Sequence, residues 1–115
     1  MPTTVYWLPT PDNVLVLNNY AYYLSLKNED LDKALRMSAR AVELEPKNAT
    51  YLDTYAWVLY MKTDYVEAEK QMKKAFKLMD APDAVYYEHY AEIIQKLGRE
   101  KEALEYQIKA KQMGE

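Results

Sequence analysis

Apolar and polar positions follow one another along this chain with a helical rhythm that breaks at regular places. Leu17, Tyr20, Ala21 and Leu24 fall on one face of a helix, and Leu52, Tyr55, Ala56 and Leu59 repeat the arrangement. Such spacing marks a stripe that buries itself against a neighbour. Polar turns interrupt it at Asn28-Glu29-Asp30, Thr63-Asp64 and Gly98-Arg99, where glycine and the Asx residues suit a helix end followed by a new N-cap. A second helix follows each turn. Pro46 and Pro82 close the first two of these, because proline cannot continue a helix and biases the residue before it away from helical geometry. Six helices are predicted, near 13–26, 30–45, 49–62, 65–79, 83–97 and 100–113.

The pattern is itself periodic. Tyr20-Ala21, Tyr55-Ala56 and Tyr90-Ala91 recur 35 residues apart, each followed by a large apolar residue at Leu24, Leu59 or Ile94. Ala34, Ala68 and Ala103 each have a second alanine seven residues later, at Ala41, Ala75 and Ala110. Pro11-Asp12-Asn13, Pro46-Lys47-Asn48 and Pro82-Asp83 mark the seams. Small residues on one stripe of the second helix let the first helix of the same hairpin approach closely, and the repeated tyrosines supply the bulk beside them. One hairpin buries too little alone, so three are expected to stack. The turn of the first repeat and the seam before Pro82 each carry one extra residue, which turns absorb at small cost.

Composition narrows the function classes. The 115 residues carry 15 Lys and Arg against 18 Asp and Glu, a formal charge of -3, without the dense basic surface that phosphate backbones require. Lys70, Lys73, Lys74 and Lys77, with Glu67 and Glu69, are expected to form a solvated helix face. With no cysteine there are no disulfides or thiolate sites, and the compartment stays open: cytoplasmic, or periplasmic if the chain belongs to a longer exported protein. No apolar run approaches the roughly 20 residues needed to span a bilayer, and MPTTVYWLPTPD lacks the build of a signal peptide. Only two glycines are present, so no glycine-rich phosphate loop exists, and no Ser/His/Asp spacing points to hydrolysis.

Taken together, the tyrosine-alanine pairs, the alanines seven apart and the seam prolines resemble the tetratricopeptide repeat (TPR) family, built from a helix-turn-helix unit of about 34 residues. The likeness covers residues 11 to 114. NNYAYYLSL, TYLDTYAWVLY and EHYAEIIQKLG also look like the closing repeats of long bacterial TPR proteins, many of the Bacteroides group. The resemblance implies an all-α fold: three antiparallel hairpins stacked as a short right-handed superhelix. Residues 1–12 would be an extended N-terminal segment and 13–115 the TPR domain, with repeats near 13–48, 49–83 and 84–115. One departure is the large residue four positions after the leading alanine of each second helix. It is Ser38, Met72 and Gln107 here, and Met37 and Tyr106, one position earlier, are expected to take over packing where it fails.

In such folds the first helices line a concave groove that holds a peptide or a partner segment. Carried over residue by residue, the groove positions are Asn18, Asn19 and Tyr22, then Asp53, Thr54, Trp57 and Tyr60, then Glu88, His89 and Glu92. Aromatic bodies ringed by acids suit a protein or peptide partner with apolar and basic side chains, while Tyr22 and Trp57 equally suit closing the gap between hairpins. Some family members clamp a terminal carboxylate here. Asp53, Glu88 and Glu92 would repel one, so no such clamp is expected. His89, the single histidine, lies between two glutamates but has no second histidine or cysteine to complete a ligand set, and its expected role is structural. Neither a cofactor nor an enzymatic activity is expected.

The ends qualify this picture. Val14-Leu15-Val16-Leu17 is apolar on all sides and the chain ends just after the third hairpin without a polar capping helix. Three arrangements follow: Val5-Tyr6-Trp7-Leu8 covers that flank, the chain is the terminal part of a longer array whose binding surface lies elsewhere, or it self-associates.

Overall fold

Every expected helix is present in the computed structural model, which describes residues 13–114. They are α1 (Val14–Lys27), α2 (Leu31–Leu44), α3 (Ala49–Met61), α4 (Tyr65–Lys77), α5 (Ala84–Lys96) and α6 (Glu100–Gly114). No strand occurs among the described residues. The expectation that Val5-Tyr6-Trp7-Leu8 covers the flank of α1 lies outside them.

Local chemistry sets the boundaries. Asn13, Asn48 and Asp64 accept hydrogen bonds from the amides of Val16, Tyr51 and Glu67 at 3.2, 3.2 and 3.4 Å, which satisfies amides that a helix start leaves unpaired. Each hairpin turn needs one left-handed residue: Asn28 at φ 53, Thr63 at φ 67 and Gly98 at φ 88, spaced by the same 35-residue period. Glycine and asparagine adopt this conformation readily, whereas the β-branched Thr63 does so under strain. The extra residue of the first turn is absorbed by Asp30, itself at φ 47.

Helices α1 and α2, α3 and α4, and α5 and α6 form antiparallel hairpins stacked in chain order, giving a body of 53 × 27 × 25 Å. The alanine pairs do what their spacing predicts: Ala34, Ala41, Ala68, Ala75, Ala103 and Ala110 are all buried, as are Ala21, Ala56 and Ala91 of the first helices. One cluster joins Ala56, Leu59 and Met72 to Tyr90, Ala91, Ile93 and Ile94. Two smaller ones join repeats one and two, through Ala21, Leu24 and Val58 and through Leu17, Ala41 and Tyr51. Met37 and Tyr106 pack against these clusters. Ser38 is buried and donates its hydroxyl to the Leu35 carbonyl at 3.1 Å.

One expectation for α4 needs correction. Lys70, Lys73, Lys74 and Lys77 are exposed, but Glu69 is not on that solvated face. It accepts from Tyr90 at 3.0 Å and from Arg99 at 2.6 Å, with Lys73 at 3.5 Å, and ties α4 to the third hairpin. Helical phase alone left Glu69 among the lysines; Arg99, thirty residues on, turned it inward. Burial works to raise its carboxyl pKa, yet the hydrogen bonds from Arg99 and Tyr90 and the charges of Arg99 and Lys73 outweigh burial and hold it below the ordinary carboxylate value.

Candidate functional site

Stacking the hairpins sets the first helices, α1, α3 and α5, side by side. They enclose an open cleft of about 470 Å³. From α1 come Asn18, Asn19, Tyr22, Tyr23 and Leu26; from α3, Thr50, Asp53 and Thr54; from α5, Val85 and Tyr86. Five of the ten groove candidates therefore line it: Asn18, Asn19, Tyr22, Asp53 and Thr54. The lining is mostly apolar, but Asn18 and Asp53, only 5% and 7% exposed, add largely desolvated polar groups to it. Thr50 and Tyr86 hydrogen-bond across it at 3.2 Å.

The other five form the wall between repeats two and three. His89 places Nδ1 2.9 Å from Asp53 Oδ1, and both side chains are buried. The imidazole stacks on Trp57 with ring centroids 4.1 Å apart. Tyr60 stacks on Trp57 at 4.5 Å. Trp57 is thus half-buried and already stacked with two neighbouring rings. Tyr60 donates its hydroxyl to Glu92 at 3.2 Å, and Glu88 is exposed at the rim. Tyr22 and His89 lie 6.4 Å apart at a 56° tilt, a contact from the first repeat to the third.

Electrostatics keep the tyrosines protonated and the site acidic. Burial pushes the Tyr22 phenol up, assisted by the charges of Asp53 and Glu88. Tyr60 is raised to about 12 by burial, by the charge of Glu92 and by its hydrogen bond to that carboxylate. Both phenols are therefore donors at neutral pH. The lysines of the three first helices, Lys27, Lys62 and Lys96, stand at or just past their C-terminal ends.

The Asp53 and His89 pair orients an imidazole as acid-base sites do, but among the described residues no hydroxyl or thiol bonds to the other ring nitrogen. No group of three or more His, Cys, Asp or Glu among the described residues could hold a metal. No described helix is long and apolar enough to cross a membrane.

Sequence reasoning placed His89 between Glu88 and Glu92, whereas its polar partner is Asp53, 36 residues earlier. That offset is close to the repeat period, and period-related pairs of polar residues are the signal that could have found it. Thr50 and Tyr86 carry the same offset. Tyr23 and Leu26, also absent from the candidates, line the cleft because α1 contributes more of its length than the other first helices, and Val85 joins them from the first turn of α5.

No family model matches the sequence, and no curated protein matches it either. Solved structures do match, and they define the class: an all-α helical-repeat solenoid of the TPR type. MamA AMB-1 is similar at a TM-score of 0.74 with 23% identity, over 91% of this chain and 61% of that one. YrrB, described as a TPR protein with an unusual peptide-binding site, is similar at a TM-score of 0.74 with 24% identity, over 96% of this chain and 55% of that one. The chain thus spans between half and two thirds of the length of these structures.

Proposed function

We propose that this chain is a non-enzymatic interaction module that holds a peptide or partner segment against its first helices, with residues 13–115 acting as one binding unit. The observation that carries this reading is the open, mostly apolar cleft between α1, α3 and α5, which buries the polar Asn18 and Asp53 and keeps Tyr23 and Leu26 exposed. Exposed aromatic and aliphatic side chains beside convergent polar groups are what a binding site presents and what a merely structural surface avoids. The acids near it favour a partner with apolar and basic side chains. YrrB, similar in fold, is described as having a peptide-binding site, which supports the same use of the scaffold here.

A displayed random-peptide library selected on the full chain tests this. Selected peptides should lose at least tenfold in affinity for Leu26→Glu, a change at a 62% exposed position that leaves thermal unfolding unaltered. Unchanged affinity would place binding elsewhere.

A second reading rests on its own observation. Leu15 and Val16 on α1, and Leu104 and Ile108 on α6, are exposed apolar residues at the two ends of the stack. They suit a terminal part of a longer array of the bacterial kind, or a self-associating one, whose neighbours cover these faces. Light scattering of the full-length natural product and of Leu104→Glu separates the two cases.

A further inference from the structure

We infer that the cleft reads one arginine side chain of the bound segment, inserted end-on against Asp53. The inference rests on the groove reading above and sharpens it from a general taste for basic side chains to a single one at a single place.

Three observations converge. The first is shape: the cleft is an open space of about 470 Å³ between three helices, with Asp53 among its lining. A long side chain fits such a space, whereas a helix of about 10–12 Å diameter does not. The second is a surplus of acceptors. Asp53 spends Oδ1 on His89, and among the described residues no hydrogen bond reaches its Oδ2. Asn18, nine-tenths buried, leaves Oδ1 without any donor. A desolvated carboxylate and a buried unpaired carbonyl are both costly until a donor arrives. The third is the absence of a competing charge, since none of the residues lining the cleft is a lysine or arginine.

Arginine answers these needs better than lysine. Its planar guanidinium carries five donors in a fixed fork, sheds water more easily than an ammonium, and stacks on aromatic faces. Here the fork would meet Asp53 while its plane lies along Tyr22 or Tyr86, and the buried Asn18 Oδ1 would gain a donor through a turn of its amide. Lysine brings a strongly hydrated point charge into a recess that offers several separated acceptors.

Calorimetric titration of the full chain with four capped hexapeptides, alike except for a central Arg, Lys, citrulline or norleucine, tests the inference. A fifth peptide carries norleucine and a free N-terminal amine. The Arg peptide should bind at least ten times more tightly than each of the others, and added salt should weaken it most. Asn19→Lys, at the exposed mouth of the cleft, should reduce Arg binding about tenfold while leaving the thermal melt intact. Asp53→Asn should do the same if it folds, and Asn19→Lys carries the test if it does not. Equal binding of citrulline or norleucine overturns the arginine assignment and leaves the groove reading standing. Equal binding of the Lys or free-amine peptide overturns it in favour of any cation. If none of these peptides binds while library-selected ones do, only this inference falls; if the library also yields nothing, both fall.

Discussion

The two seams between repeats solve the same problem in opposite ways. At the first, α1 lies along α3 over much of its length and α2 packs closely on α3; at the second, the backbones of α3 and α5 approach only locally. The first seam is filled by small and aliphatic residues, Ala21, Ala41, Leu17, Leu24 and Val58, with Tyr51 at one end. Large rings fill the second. Phe76, Tyr90 and Tyr106 pack edge to face at 5.2 and 4.9 Å, Trp57 stacks on His89, and polar rungs at Asp53, Glu69 and Tyr60 cross it. The linkers differ accordingly: residues 45–48 join α2 to α3, whereas residues 78–83 join α4 to α5. The lesson is that one repeat pattern tolerates different spacings when the linker lengthens and side-chain bulk grows to match. A tight seam depends on small residues where the backbones meet, with rings such as Tyr20 and Tyr51 beside them; a wide seam depends on particular large residues being there.

The largest test of that contrast is Tyr90→Ala. It removes a buried ring from the main cluster and leaves Glu69 without one donor, so chemical denaturation should show a loss of about 3–5 kcal/mol. A loss under about 1 kcal/mol would mean that the rings do not hold the second seam.

The complementary change at the first seam adds bulk. Ala41 is fully buried beside Leu17 and Tyr51, and Ala41→Leu should destabilise by about 1–3 kcal/mol through overpacking. A neutral result would show that the close approach of the backbones is not sterically required.

Acid should act through Glu69 on the second seam. Because its folded-state pKa is depressed, its contribution is present above the ordinary carboxyl value of 4.5 and is lost as pH falls through the lower folded value. Denaturation midpoints of the native chain should fall more steeply below that pH than those of Glu69→Gln, whose slope there should be shallower. Identical slopes would remove the polar rung from the account. At the far end of the scale, a spectrophotometric phenol titration should lose a phase near pH 12 in Tyr60→Phe.

The smallest expected effect lies in a turn shared by neither seam. Thr63→Gly relieves a β-branched residue at φ 67 and should stabilise by about 0.5–1 kcal/mol, net of the added chain entropy. No gain in melting temperature would show that neighbouring contacts already relieve the strain.

Helix positions, hairpin order and the alanine contacts were legible in the chain because each rests on short-range periodicity. A stripe at helical spacing, a left-handed turn residue every 35 positions and a proline at a seam act within a few residues of where they stand. Even the exchange of packing from Ser38 and Gln107 to Met37 and Tyr106 follows from one step of helical phase. What only the tertiary structure decided is the division of labour among the first-helix residues. Phase puts Asn18, Asp53, Trp57 and His89 on the same inner side of their helices. Whether such a residue lines the cleft or seals the wall depends on how far apart neighbouring helices sit. That distance is set jointly by linker length and by the bulk meeting across the seam, a sum over residues some 20 to 36 positions apart. Trp57 therefore became a stacked ring of the wall, while Asp53 both bonds His89 and lines the cleft.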